Sequence, residues 1–159
     1  MNKTMLASLT LGAAVAFAGP AFADKMKATL DGKSEVPANT SAGKGTADID
    51  YDAASKKLSW KVTYSGLSGP ATAAHFHGPA AAGANAGVAV AIPNATASPV
   101  EGSATLTDAQ AADLVAGKYY INIHTAANPG GEIRGQVMKY SDEVSFRLNI
   151  NFAQKGRTP

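Results

Sequence analysis

"KLSWKVTYSGL", residues 57–67, places Leu58, Trp60, Val62 and Tyr64 at every second position, with Ser59, Lys61 and Thr63 between them. A period of two puts the four large side chains on one face of an extended chain, so the stretch predicts a half-buried β-strand. Trp60 is the only tryptophan and falls on the apolar face as a core anchor.

The same alternation recurs on both sides. "KMKATLDG" (25–32) points Met26, Ala28 and Leu30 one way, and "TADIDYD" (46–52) does so with Ala47, Ile49 and Tyr51. "ATAAHFHG" (71–78), "GVAVAI" (87–92), the short "SATL" (103–106), "YYINIHT" (119–125) and "EIRGQVM" (132–138) complete the candidate strands. Glycine, proline and asparagine clusters separate them at roughly the eight-to-twelve-residue spacing of an all-β sandwich or barrel. Only "TDAQAADLVAGK" (107–118) breaks the pattern. Thr107 and Gln110 have capping-box spacing, Leu114 and Val115 supply an apolar edge and Gly117 a stop, which predicts one short helix near 107–116. In 119–125, Tyr119, Ile121 and Ile123 are expected in the core, with Tyr120, Asn122 and His124 facing outward.

The ends read differently. Residues 1–23 combine Lys3, the apolar run "MLASLTLGAAVAFAG" and small Ala21 and Ala23 in a cleavage-site pattern, and are expected to be a secretory signal peptide cut after Ala23. Removing residues 1–23 from a chain of 159 leaves 136, one domain's worth. The domain is expected over 24–138. Residues 139–159 form an extension in which Val144, Phe146, Leu148, Ile150 and Phe152 alternate as one extra edge strand would. No stretch after the leader is apolar enough for a membrane span, so the product is expected in the periplasm or secreted.

Composition removes several classes of function. The formal net charge is +2 and the basic residues are scattered, which gives no nucleic-acid footprint. There is no cysteine, which excludes thiolate catalysis and thiolate metal sites. No serine stands in a G-x-S-x-G context, no glycine loop of phosphate-binding pattern precedes a helix, and no catalytic residue is assigned.

What stands out is histidine. The chain has three: His75, His77 and His124. His75 and His77 are i and i+2, on one face of a strand and roughly 6–7 Å apart along it. Metal–nitrogen bonds of about 2.0–2.1 Å let two such rings share one ion. His124 can supply a third nitrogen if its strand lies beside 71–77. Three neutral imidazoles without thiolate suit copper(II), with zinc as the other candidate. The competing account has each imidazole donate to a loop carbonyl and brace "GPAAAG" or "AANPGG". Glu132 and Arg134 are likewise i and i+2. They are expected to form an ion pair, or Arg134 to bond loop carbonyls, or Glu132 to accept a histidine N–H and orient the ring.

"ATLDGKSEVP", "AAHFHGPA", "LVAGKYYINIHT" and "NPGGEIRGQV", in this order, resemble the CHRD domain, first described as repeated modules of chordin and found singly in exported bacterial proteins. The resemblance runs from about Lys25 to Met138. It implies an antiparallel β-sandwich and a place outside the cell, since in chordin these modules belong to an extracellular protein that binds growth factors, and it attaches no defined enzymatic role to a single module. A second resemblance is narrower. An H-x-H strand followed much later by a strand with a lone histidine is similar to the copper half of Cu/Zn superoxide dismutase, a Greek-key β-barrel. By position it implies His75, His77 and His124 as copper ligands. The bridging histidine, the zinc-ligand set and the bracing cysteine pair of that enzyme have no counterpart here. Three functions follow as expectations: an exported copper-binding protein, a non-catalytic interaction module of the cell envelope with a protein partner, or a dismutase-like copper enzyme.

Overall fold

The structure, a computed structural model, describes residues 23–140. Residues 1–22 of the leader expected over 1–23, and the alternating segment from Val144 to Phe152, lie outside the described residues.

Nine strands and one helix follow in chain order. They are β1 (Asp24–Asp31), β2 (Lys44–Asp52), β3 (Lys57–Ser65), β4 (Ala71–His77), β5 (Val88–Ile92), β6 (Val100–Thr105), α1 (Asp108–Val115), β7 (Tyr120–Thr125), β8 (Ile133–Gln136) and β9 (Met138–Lys139). A single 3-10 turn, Gly32–Ser34, follows β1. The strands pair antiparallel in the order β5-β4-β7-β8-β1-β2-β3-β6, with β9 added to β1. The end strands β5 and β6 approach each other, so the sheet is a nearly closed barrel. The expected all-β architecture with one short helix is the one observed.

The alternation explains the core. Leu58, Trp60 and Val62 of β3 are buried, as are Met26, Ala28 and Leu30 of β1 and Ala47, Ile49 and Tyr51 of β2. Trp60 meets Phe76 of β4 edge-to-face, with ring centroids 5.3 Å apart, which ties the two halves of the sheet together. Opposite Trp60 stands Gly102. A Cβ there would lie 2.6 Å from Trp60 Cζ2, so the indole occupies the space a side chain would need. The helix carries the capping box that Thr107 and Gln110 announce, and Gly117 closes it at φ +71°. Leu114 is buried, whereas Val115 is exposed rather than part of the apolar edge.

Three expectations shift. Strand β6 begins at Val100, three residues before the expected 103, because Glu101 and Gly102 pair with Lys61 and Trp60 despite the turn-forming Pro99 beside them. The expected strand 132–138 splits at Val137, whose N–H turns to the Tyr119 carbonyl while its side chain enters the core. Tyr120 and Asn122 do not face solvent as their alternate positions predict. They are 2% and 3% exposed, because the loop 78–87 is bonded to the Tyr120 hydroxyl and the segment at Gly130 and Gly131 lies against Asn122. That covered face holds the site.

Candidate metal centre

Strand β4 projects His75 and His77 from one face, with ring centroids 5.4 Å apart. The register against β5 shifts between Phe76 and His77, which pair with Val90 and Val88. Phe76 points the other way, into the core, with no exposure. Strand β7 runs antiparallel beside β4, pairing His75 with Asn122, His77 with Tyr120 and Ala73 with His124. The His124 ring thereby reaches His75, at 5.1 Å between centroids, and His77, at 6.2 Å. One ligand nitrogen from each of the three lies within 4.8 Å of the others. Among the described residues this is the only group of three or more histidine, aspartate or glutamate side chains so placed.

Hydrogen bonds set which nitrogen of each ring is free. His77 Nδ1 lies 3.0 Å from the Ala86 carbonyl oxygen and His124 Nδ1 lies 2.9 Å from that of Pro129. A carbonyl only accepts, so both Nδ1 atoms carry the proton and both Nε2 atoms present a lone pair. His124 Nε2 lies 3.2 Å from His75 Nδ1. That separation suits a hydrogen bond. It also suits two nitrogens on one ion, since bonds of about 2.0–2.1 Å at tetrahedral to right angles set them roughly 3 Å apart. His77 Nε2 is buried and has no hydrogen-bond partner. Burial lowers the pKa of His77 despite the Ala86 carbonyl, and burial followed by the neighbouring His124 and His77 lowers that of His75. Both rings are therefore held in the neutral form that ligates.

The surroundings fix the rings further. Tyr120 stacks on His77, with centroids 5.0 Å apart and planes within 6°, and the Arg134 guanidinium lies 3.3 Å over the tyrosine ring. Arg134 is buried and donates to the Ala84 carbonyl and to Asn85 Oδ1. Of its expected roles, binding loop carbonyls is the observed one, and it clamps the loop 78–87 whose Ala86 orients His77.

Glu132 has no histidine partner. It accepts from Ser41 Oγ at 2.7 Å, from the Ser68 N–H at 2.7 Å and Oγ at 2.6 Å, and from Thr125 Oγ1 at 2.6 Å. Burial alone would raise its pKa, but these donors outweigh it and hold the carboxyl at about 2. Glu132 ties two loops to the end of β7 next to His124. The acceptors that orient the rings are backbone carbonyls, which no side-chain motif announces. Glu35 is buried beside Arg134, and burial raises its pKa although the guanidinium opposes this.

Residues 26–137 match one family model, that of the CHRD domain. The chain belongs to the CHRD domain family. The match takes in all but the first two residues of β1, every strand from β2 to β8 and all three histidines. No curated protein and no solved structure matches the chain. In this CHRD domain the histidines occupy the β4–β7 face, and α1 lies elsewhere. A cavity of about 490 Å³ between α1 and β9 shares no residue with them.

Proposed function

We propose that this CHRD domain binds one transition-metal ion, copper(II) before zinc(II), through His75, His77 and His124. The observation that carries the proposal is the convergence of three imidazoles within 4.8 Å, with the buried His77 Nε2 left as an unpartnered lone pair. Loop bracing accounts for the Nδ1 atoms of His77 and His124, but it gives His77 Nε2 nothing to do. An all-imidazole set without thiolate is the chemistry of copper(II) and zinc(II). His75 and His124 are only half-buried, which leaves one side of the ion open to solvent or exchange. The leader pattern in residues 1–23 supports a place outside the cytoplasmic membrane, periplasmic or secreted, and no helix among the described residues is long and apolar enough to cross a membrane. The role is metal binding or handling. A bare three-histidine centre with no bridging fourth histidine is a weaker basis for a dismutase, since the chain has only three histidines.

Titration calorimetry of the metal-free protein with copper(II) and zinc(II) tests this. One tight equivalent, lost in the triple variant His75→Ala, His77→Ala, His124→Ala, is expected. Equal heats from both proteins would return the domain to an interaction module. Superoxide loss faster than that given by free copper, from the copper-loaded protein, would favour the enzyme instead.

A further inference from the structure

Four buried side-chain polar atoms among the described residues have no hydrogen-bond partner: His77 Nε2, Asn122 Oδ1, Glu35 Oε1 and Trp60 Nε1. The first three belong to one region. Asn122 lies on β7 between Tyr120 and His124 and pairs across the strands with His75. It is 3% exposed, and its carboxamide interacts with the His77 ring. Asn122 Nδ2 donates to the Gly130 carbonyl at 3.4 Å, and in this orientation the carboxamide oxygen is the end without a partner. Glu35 and Asn122 meet at Gly131. A Cβ there would stand 2.5 Å from Glu35 Oε1 and 2.7 Å from Asn122 Nδ2.

With Asn122 Nδ2 turned to Gly130, the atoms left without a partner in this region, His77 Nε2, Asn122 Oδ1 and Glu35 Oε1, are acceptors. His77 Nε2 carries no proton, because Nδ1 does. Buried acceptors without donors are costly, and they persist where something electron-poor joins them. An ion on three imidazoles keeps its fourth position for water, and that water has hydrogens to donate. We propose that Asn122 belongs to the metal centre as a positioning residue, its carboxamide oxygen accepting a hydrogen bond from the water in the fourth position of an ion on His75, His77 and His124. The assignment rests on the metal proposal above.

Asn122→Leu removes the acceptor at similar size, and Asn122→Asp keeps it and adds charge. Both are compared with the wild-type protein for copper(II) affinity by chelator competition, for the copper(II) electron paramagnetic resonance spectrum, and for the melting temperature without metal. Loss of an outer partner costs a metal site about 10–100-fold in affinity. Asn122→Leu is expected to show that loss with a shifted spectrum, while its metal-free melting temperature stays at or above the wild-type value. Asn122→Asp is expected to bind at least as tightly as wild type. Wild-type affinity and spectrum in both variants would overturn the role of Asn122 and leave the three-histidine site standing. A wild-type protein that binds no copper would overturn both. If Asn122→Leu does not fold, Asn122→Asp decides alone, and an unchanged spectrum and affinity in it refutes the role.

Discussion

Acid should unfold this domain in large part through Glu132. The carboxylate is fully buried and is held at about 2 rather than 4.5 by donors from Ser41, Ser68 and Thr125. A carboxyl whose folded pKa lies below its unfolded one stabilises the fold above the unfolded value, and that stability is lost as pH falls through the folded one. For this displacement the contribution is about 3 kcal/mol, fully present above pH 5 and lost between about pH 4.5 and 2. Glu132→Gln replaces one acceptor oxygen with an amine that faces donors, and is expected to cost about 2–4 kcal/mol at pH 7. The same variant should remove most of the acid slope. Urea unfolding at pH 7, 5, 4 and 3 measures both effects. If Glu132→Gln keeps the wild-type dependence between pH 5 and 3, the carboxylate is not the group that acid titrates, and the reasoning fails.

Three further outcomes follow. His77→Ala should lower copper(II) affinity by orders of magnitude while the far-ultraviolet circular dichroism stays that of the wild type; unchanged affinity in a chelator competition would remove His77 from the site. Because His75 and His77 are held below their ordinary pKa, copper binding should be flat from pH 8 to about 6.5 and weaken only below that, as protons compete for the imidazoles; weakening that begins at pH 8 would contradict a neutral-imidazole site. Tyr120→Leu removes the ring between His77 and Arg134 and should cost about 1–3 kcal/mol of stability together with metal affinity, whereas Tyr120→Phe keeps the stack and loses only the hydroxyl's bond to Ala86; equal affinity in the two variants would show that the stack does not orient His77.

The barrel was legible because its strands alternate strictly. Leu58, Trp60 and Val62 are the clearest case, and Thr107 with Gln110 marked the one helix through chemistry local to four residues. The pairing of His75 with His77 followed from the same period of two. What the sequence hid is tertiary. Tyr120 and Asn122 sit at outward positions of β7, and nothing local says that "GPAAAGANAG" folds back over the first or that "NPGG" lies against the second. Arg134 and Glu132 share a spacing but not a task, because what surrounds each is a loop distant in sequence: Ala84 and Asn85 for one, Ser41 and Ser68 for the other. The ring-orienting acceptors, Ala86 and Pro129, act through backbone carbonyls that any residue has. Asn122 and Tyr120 shared with His124 a face visible in "YYINIHT", and that was the one available sign that they belong to the site.

The central claim is a single ion on three imidazoles. The most direct measurement is electron paramagnetic resonance of the protein carrying one equivalent of copper(II), with nitrogen couplings resolved, beside the single variants at His75, His77 and His124. A single copper species with couplings from three imidazole nitrogens, one of which disappears in each variant, is the expected result. A spectrum of weakly held copper that is the same in all four proteins would contradict the site.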